Sequence, residues 1–124
     1  MTVADCLFCK IVAGDIPADV VHRTDRTLAF RDINPQAATH VLVVPTVHHE
    51  DALALATDAP DLLAEMLAAG AEVAKIEGIT ESGYRFVFNT GPDAGRTVFH
   101  AHLHVLGGEQ LGLFGRPTVT AQSR

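Results

Sequence analysis

The sequence predicts an α+β fold with about five mostly antiparallel strands, one long helix and one or two short helices. Several short runs of β-branched and apolar residues are separated by glycine and proline, which is typical of strands joined by turns. One longer segment carries apolar residues at helical spacing. The chain has 124 residues, of which 48% are hydrophobic. This length is enough for one domain and too short for two, so we expect a single domain over residues 1–124.

Five segments have the composition of strands, and turn residues mark their ends. Asn34-Pro35 ends the second segment, Pro45 closes the third, and Gly107-Gly108 ends the fifth. A glycine-rich loop over residues 90–96 joins the last two, and its simplest interpretation is an ordinary hairpin turn. The predicted strands are residues 20–22, 27–32, 39–44, 84–89 and about 97–106.

Three segments are predicted to be helical. Residues 6–14 form a short turn that Gly14 stops, and a second short helix runs from about 49 to 56. The long helix covers roughly residues 58–77, with Asp58 as its N-cap, and its apolar stripe indicates core packing. From about residue 109 to the end we expect an irregular tail, or one ordered only against a partner.

Composition and charge argue against several classes of function. The net charge is −6, and no cluster of Lys and Arg appears, so we expect neither a nucleic-acid binder nor a protein of anionic membrane surfaces. The N-terminus lacks a basic segment followed by an apolar stretch, and no apolar run approaches the length of a membrane span. A cytoplasmic protein is the expectation.

Three histidines at alternate positions are the main chemical feature of the chain. His100, His102 and His104 project from one face of a strand, while Ala101, Leu103 and Val105 project from the other. Clustered imidazoles can ligate a metal, act as nucleophile and proton carrier, or form a polar solvent-facing row. The neighbouring residues must decide between these roles.

The chain resembles the histidine triad (HIT) family over nearly its whole length. The run from His100 to Val105 matches the pattern His-φ-His-φ-His-φ, where φ is apolar, and the ending His-Val-Leu-Gly-Gly is similar to the Hint branch of nucleoside phosphoramidate hydrolases. Further matching segments are residues 6–11, 29–37, 39–45, His48 and 97–108. The resemblance implies a HIT-like fold.

The resemblance also implies a covalent mechanism. His102 would attack the α-phosphorus of a nucleotide, and water would release the nucleoside monophosphate from the nucleotidyl-histidine. His104 would support the phosphate or the departing group, and His40 would help to orient His102. Thr97 would donate a hydrogen bond to a phosphate oxygen or to a leaving amine. For His40 alone, a hydrogen-bonded histidine at a strand start is the competing interpretation.

Substrate-binding residues follow from the same resemblance. Asp32 would accept hydrogen bonds from both ribose hydroxyls, although a solvated aspartate at a strand end is the competing interpretation. Phe30 and Ile33 would border the base, while Asn89 and Gly95 would lie on the phosphate side together with Thr97, His102 and His104. Arg96 departs from the family, where a glutamine is expected, and it is assigned no role.

The resemblance implies a structural zinc site in addition. Its ligands would be Cys6, Cys9, His48 and His100, two thiols and two imidazoles that can form a closed tetrahedral set. The Cys-x-x-Cys spacing itself indicates a metal or redox site more than a structural disulfide, and buried free thiols are the alternative. His49 is adjacent to His48 in the sequence and is not assigned as a zinc ligand.

The predicted function is hydrolysis of purine nucleoside 5′-phosphoramidates or aminoacyl-adenylates at the α-phosphate. Two alternatives remain: a dinucleoside polyphosphate hydrolase, and a nucleotide-binding interaction module whose hydrolysis is incidental. The resemblance further implies a homodimer in which the long helix and a strand of each subunit meet. The partners expected are thus a purine nucleotide and a second copy of the chain, and zinc is the cofactor expected.

Overall fold

The computed structural model describes residues 5–113, which form three helices and five strands. The helices are α1 (Leu7–Ala13), α2 (Ala52–Asp58) and α3 (Pro60–Ile76). The strands are β1 (Val20–Arg23), β2 (Thr27–Arg31), β3 (Thr39–Pro45), β4 (Tyr84–Val87) and β5 (Leu103–Gly107). Within residues 5–113, none of the helices combines the length and apolar character needed to cross a membrane.

The strands form one antiparallel sheet in the order β1-β2-β3-β5-β4, which confirms the predicted fold class. Central β3 is buried along its whole length. It pairs with β5 so that Leu42 lies opposite His104 and His40 lies opposite Leu106. Side chains of one face alternate along each strand, so His40 and His104 are diagonal neighbours on the same face.

Each face of the sheet has its own apolar core. Long helix α3 covers one face, where Met66 and Val73 pack against Ala101, Leu103 and Val105. Short helix α1 covers the other face, where the buried side chains are Cys6, Phe8, Cys9, Leu28, Phe30, Leu42 and Val44. The alternation predicted around the three histidines therefore holds, because the apolar set faces α3 and the imidazoles face α1.

The helix boundaries differ from the sequence prediction between residues 49 and 60. Helix α2 begins at Ala52 rather than at about residue 49, and Asp51 caps it by accepting a hydrogen bond from the amide of Ala54 at 2.9 Å. Asp58 is the last residue of α2 rather than the cap of α3, whose N-cap is Ala59 without a side-chain bond. Proline at the first position of α3 starts the helix without a cap, because its fixed φ already suits a helix.

The histidine strand is shorter than predicted. Hydrogen-bonded pairing with β3 and β4 begins at Leu103, so residues 97–102 precede the strand. In this segment the amide of Ala101 donates to the carbonyl of His49 at 2.7 Å instead of to a strand. The predicted strand over 84–89 likewise ends at Val87, and residues 92–94 form a single 3₁₀ turn. Residues 109–113 contain no helix or strand, and residues 114–124 of the expected tail lie outside the described residues.

Gly70 permits a close approach of α3 to the sheet. A Cβ atom at this position would lie 2.8 Å from Cζ of Phe86 and 3.0 Å from Cδ2 of Leu103. Leu103 is fully buried and belongs to the strand that carries the histidines. The distance between α3 and β5 therefore depends on the absence of a side chain at residue 70.

Gly70→Val is expected to lower the free energy of unfolding by about 1–3 kcal/mol, because the added atoms overpack a close helix–sheet contact. Ala64→Val is the matched control, since residue 64 is exposed on the same helix and the change costs only helix propensity, about 0.5 kcal/mol. Urea unfolding of the two variants measures the difference. Equal stability of the two would contradict the close-packing argument.

Candidate active site and metal centre

A cavity of about 380 Å³ lies on the α1 face of the sheet, beside β2, β3 and β5. Every residue that the sequence assigned to substrate binding lines it. These are Phe30, Asp32, Ile33, Asn89, Gly95, Thr97, His102 and His104. Their positions in the chain span 75 places, so the sheet and the loop before β5 bring them together. The expected catalytic residue His40 is not in the wall and lies behind His104.

The ring of His102 is held in one tautomer. Its Nδ1 lies 2.7 Å from the carbonyl oxygen of His100, and a carbonyl can only accept, so Nδ1 carries the proton. In the neutral ring Nε2 therefore has a free lone pair. Burial lowers the pKa of His102 and outweighs the opposing effect of this hydrogen bond, which keeps the ring neutral near pH 7. An edge-on contact with Phe8, at 5.0 Å between ring centroids, fixes the ring further.

A chain of hydrogen bonds fixes the protons of His40 and His104. The amide of Gln36 donates to Nδ1 of His40 at 2.9 Å, so in the neutral ring Nε2 carries the proton. That Nε2 lies 2.9 Å from Nδ1 of His104 and donates to it. The proton of His104 is consequently on Nε2, which lies 3.4 Å from the side-chain amide of Asn89. This contact is a hydrogen bond when Asn89 turns its oxygen to the ring.

His40 contacts a different histidine from the one expected. The resemblance implied that it orients His102, but the antiparallel register makes it the neighbour of His104. The backbone of His100 orients His102 instead. Burial lowers the pKa of His40 despite the nearby charge of Asp32, and burial lowers the pKa of His104 to about 4. All three rings around the cavity are therefore neutral at pH 7.

Asp32 stands at the end of β2 with its two oxygens in different environments. Oδ1 accepts from the amide of Asn34 at 2.8 Å, and Oδ2 lies 3.4 Å from Nε2 of His40. Its carboxylate lines the cavity beside Ile33, whose side chain is fully exposed. Asp32, His40 and His104 are close enough to surround a cation. The proton on Nε2 of His40 disfavours that role, because this nitrogen is the one that would have to ligate.

The loop before His100 forms the opposite wall. Gly95 has a φ of +82°, which favours glycine, and it brings the loop backbone to the cavity beside Thr97. Arg96, to which the sequence assigned no role, also lines the cavity, and its side chain is nine-tenths buried. Sequence reasoning also missed the apolar wall from α1, which includes Leu7 and Ile11. The apolar residues of this short helix were a signal for that wall.

The four residues assigned to zinc form a second cluster on the same face. Sγ of Cys6 lies 3.3 Å from Nδ1 of His100, and Sγ of Cys9 lies 3.5 Å from Nδ1 of both His48 and His100. All four donor atoms lie within 4.8 Å of one another. Ordinary zinc bond lengths in a tetrahedron place sulfur and nitrogen ligands about 3.5 Å apart. The donor set and its spacing thus fit Zn²⁺.

Local structure explains how the four donors meet. Cys6 is the N-cap of α1, and its sulfur accepts from the amide of Cys9 at 3.4 Å, so the first turn of the helix points both thiols inward. Nε2 of His100 donates to the carbonyl of Pro45 at 2.9 Å, which leaves Nδ1 free to ligate. Burial lowers the pKa of His100 to about 4 and raises that of Cys6. A bound cation would instead lower the pKa of the Cys6 thiol and favour the thiolate.

Comparison with known proteins agrees with this geometry. Residues 13–111 match the family model of the HIT domain, which covers most of the chain. The chain belongs to the HIT family. The purine nucleoside phosphoramidase of Escherichia coli K12 is 40% identical over 108 residues, which are 87% of this chain and 91% of that protein. A 14 kDa zinc-binding protein of Zea mays is 44% identical over 109 residues, which are 85% and 83% of the two chains.

Solved structures of HIT proteins have the same fold. A histidine triad protein from Clostridium difficile superposes with a TM-score of 0.87 at 38% identity, over 92% of this chain and 99% of that one. A HIT family hydrolase from Legionella pneumophila gives 0.82 at 48% identity, over 86% and 95%. This protein is accordingly a hydrolase of the HIT family.

The hydrogen-bonded chain makes a prediction about His104. We expect its ring to be neutral with the proton on Nε2 at pH 6, and its midpoint to lie near 4 rather than at 6.5, because burial disfavours the charged form. Nitrogen-15 NMR of the imidazoles measures both quantities. His40→Ala removes the donor to Nδ1 and should yield a mixture of tautomers, whereas His22→Ala, in β1, should leave His104 unchanged. Titration of His104 near 6.5 in the unaltered chain would contradict the assignment.

Proposed function

We propose that this HIT hydrolase cleaves purine nucleoside 5′-phosphoramidates or aminoacyl-adenylates at the α-phosphate through a nucleotidyl-His102 intermediate. The observation that carries the proposal is the hydrogen bond from Nδ1 of His102 to the carbonyl of His100, because it leaves Nε2 unprotonated on a residue that lines the cavity. Neutral imidazole is a nucleophile near pH 7. The 40% identity with a purine nucleoside phosphoramidase supports this substrate class.

In the first step Nε2 of His102 forms a bond to the α-phosphorus while the bond to the leaving amine breaks. The amine nitrogen takes up a proton and departs as a neutral amine. This proton comes from solvent water, because neutral His104 and Thr97 are hydrogen-bond donors and not acids at pH 7. His104 and Thr97 line the same cavity, and Nε2–H of His104 and the hydroxyl of Thr97 can donate hydrogen bonds to phosphate oxygens or to the leaving amine. His40 acts through His104, whose proton it directs to the cavity side.

In the second step water attacks the phosphorus, the bond to Nε2 breaks, and the attacking water releases one proton to the solvent. The products are the nucleoside monophosphate and the original neutral His102. Phosphorylated imidazole is cationic and therefore a good leaving group, which makes each of the two displacements easier than one direct hydrolysis. The hydrogen bond to the His100 carbonyl stabilises the positive charge that His102 carries in the intermediate.

The nucleoside is expected at the end of the cavity that Asp32 marks. Oδ2 of Asp32 accepts from no backbone amide of residues 5–113, so the carboxylate can accept from two ribose hydroxyls. Buried Phe30 and exposed Ile33 offer apolar surface to a flat base. These contacts carry few hydrogen bonds to base edges, so they support binding of a purine without strong choice among purines.

We propose Cys6, Cys9, His48 and His100 as ligands of a structural zinc ion. Zinc would cross-link α1 to the segment before β5 and supplies no catalytic step, because four protein ligands close its coordination. The similarity to a zinc-binding protein of Zea mays supports this assignment. A cytoplasmic location suits two thiol ligands that must stay reduced.

A homodimer is also proposed. Strand β4 is at one edge of the sheet, and its outward side has no strand partner among residues 5–113. Tyr84 and Phe86 stack on this strand with ring centroids 5.1 Å apart, and Leu67 and Ile76 are exposed on neighbouring α3. Pairing of two such edges would cover both features and remove an edge that otherwise invites aggregation.

His102→Ala is expected to lower kcat/KM for adenosine 5′-phosphoramidate at least about 10³-fold, as removal of a nucleophile does, and to leave nucleotide binding largely intact. Mass spectrometry of the unaltered enzyme, quenched during turnover, should show one adenylyl group on His102. His22→Ala is the control for loss of a histidine outside the cavity. Hydrolysis without an adduct, or at equal rates in the variant, would refute the mechanism and favour an interaction module.

The zinc assignment predicts an equimolar amount of zinc in untreated protein, measured by elemental analysis. Cys9→Ser and His48→Ala should each lose most of it and melt at lower temperature, because α1 is then less firmly attached to the sheet. His49→Ala is the adjacent control and should retain zinc, since residue 49 contributes its backbone carbonyl to the structure. Zinc-free protein as isolated would defeat the site.

A further inference from the structure

The segment of residues 96–99 carries no backbone hydrogen bond to any of residues 5–113. Backbone bonding resumes at Ala101, whose amide donates to the carbonyl of His49 at 2.7 Å. Thr97 belongs to this segment, is exposed, and lines the cavity. Its position therefore depends on the side chains that attach the segment to the rest of the protein.

Two side chains of the segment make such attachments. Val98 packs against the apolar core on the α1 face. Arg96 is 9% exposed, and its Nη1 lies 3.6 Å from Oδ2 of Asp51 while its Nη2 lies 3.7 Å from Oε2 of Glu50. The ring of Phe99 lies 4.4 Å from Cζ of Arg96. Because Nε and Nη1 of Arg96 are fully buried, the guanidinium acts on neighbouring protein groups and not on a ligand.

Asp51 gives the attachment a fixed end. Its Oδ1 accepts from the amide of Ala54 at 2.9 Å and caps α2, while its Oδ2 faces Arg96. The side chain of Asp51 is mostly buried, so water screens this ion pair less than it screens an exposed one. Glu50 is mostly exposed and contributes less. The start of α2 is thus the point to which Arg96 is attached.

The attachment depends on the charge of residue 96. Both distances from Arg96 to the carboxylates exceed that of a well-formed hydrogen bond, so the attraction is mainly between whole charges. The glutamine that the family resemblance leads one to expect here is uncharged. It would occupy the same place without attracting Asp51 in this way.

We propose that Arg96 is a positioning residue that attaches the segment carrying Thr97 to the start of α2 and thereby holds the Thr97 hydroxyl in the cavity. This inference rests on the proposed function, in which that hydroxyl donates to a phosphate oxygen or to the leaving amine. A donor stabilises developing charge most when its position is fixed before the reaction. Arg96 supplies this fixation and does not itself touch the substrate.

The first test needs no substrate and uses the protein as isolated. In nitrogen-15 relaxation the backbone order parameter of Thr97 should be about 0.85 in the unaltered chain and below about 0.6 in Arg96→Gln. Asp51→Asn should have the same effect, because asparagine still caps α2 but lacks the charge. Arg26→Gln is the control, since Arg26 pairs with Glu65 at 3.3 Å outside the cavity, and it should leave Thr97 rigid.

The second test measures hydrolysis of adenosine 5′-phosphoramidate. Thr97→Val and Arg96→Gln should each lower kcat at least about tenfold and change KM less than about twofold, because each removes a placed donor. The double variant should be no more than about twofold slower than the slower single variant, since a displaced hydroxyl has no contribution left to lose. Arg96→Lys keeps the charge and should recover part of the activity. Multiplying losses in the double variant would show that Arg96 acts independently of Thr97 and would overturn the proposal.

The two tests separate this inference from the proposed function. An unchanged order parameter in both Arg96→Gln and Asp51→Asn overturns the attachment, whatever the kinetics. If the unaltered enzyme does not hydrolyse the phosphoramidate, the proposed function fails, and the order parameters still decide whether Arg96 fixes the segment. If Arg96→Gln does not fold, Asp51→Asn replaces it in both experiments with the same expected results.

Discussion

The hydrogen bond between the His100 carbonyl and Nδ1 of His102 connects the two halves of the site. The ring of His100 contacts the sulfur atoms of Cys6 and Cys9, and its carbonyl oxygen accepts a hydrogen bond from His102. A contact that fixes the ring of His100 therefore also fixes the His100 carbonyl, which sets the tautomer of His102. A second carbonyl, that of Pro45, holds the other nitrogen of His100. The cysteine cluster thus supports the orientation of His102, the proposed nucleophile, without lying in the cavity.

The sheet supplies the rigidity that this arrangement needs. Ala101, Leu103 and Val105 are buried against α3, so a one-residue shift of the segment would move apolar side chains into the cavity and imidazoles into the core. The register with β3 then places His40 beside His104 and fixes a second tautomer. Packing on one face of the sheet accordingly determines proton positions on the other.

Periodic features of the chain could be predicted, and local hydrogen bonding could not. Alternation at residues 100–105 predicts which side chains face the cavity, because a strand has only two faces. Strand pairing starts at Leu103, and before it the amide of Ala101 donates to the carbonyl of His49, a contact that no sequence pattern encodes. The partner of His40 depends on strand register, and resemblance alone assigned it to the wrong ring. The pairing of Arg96 with Glu50 and Asp51 could not be predicted either, because these carboxylates lie far from Arg96 in the sequence.

For the proposed attack of His102 on a phosphate, neutral imidazoles solve one difficulty and create another. Protonated rings would attract an anionic substrate, but His102 would then have no lone pair for attack. Burial lowers the pKa of His102 and His104, which favours nucleophilic attack at the expense of electrostatic attraction of the substrate. The chain itself has a net charge of −6 and cannot supply long-range attraction. Capture must then depend on fixed donors close to the phosphorus. Nε2–H of His104 and the hydroxyl of Thr97, on two residues that line the cavity, are neutral donors of this kind.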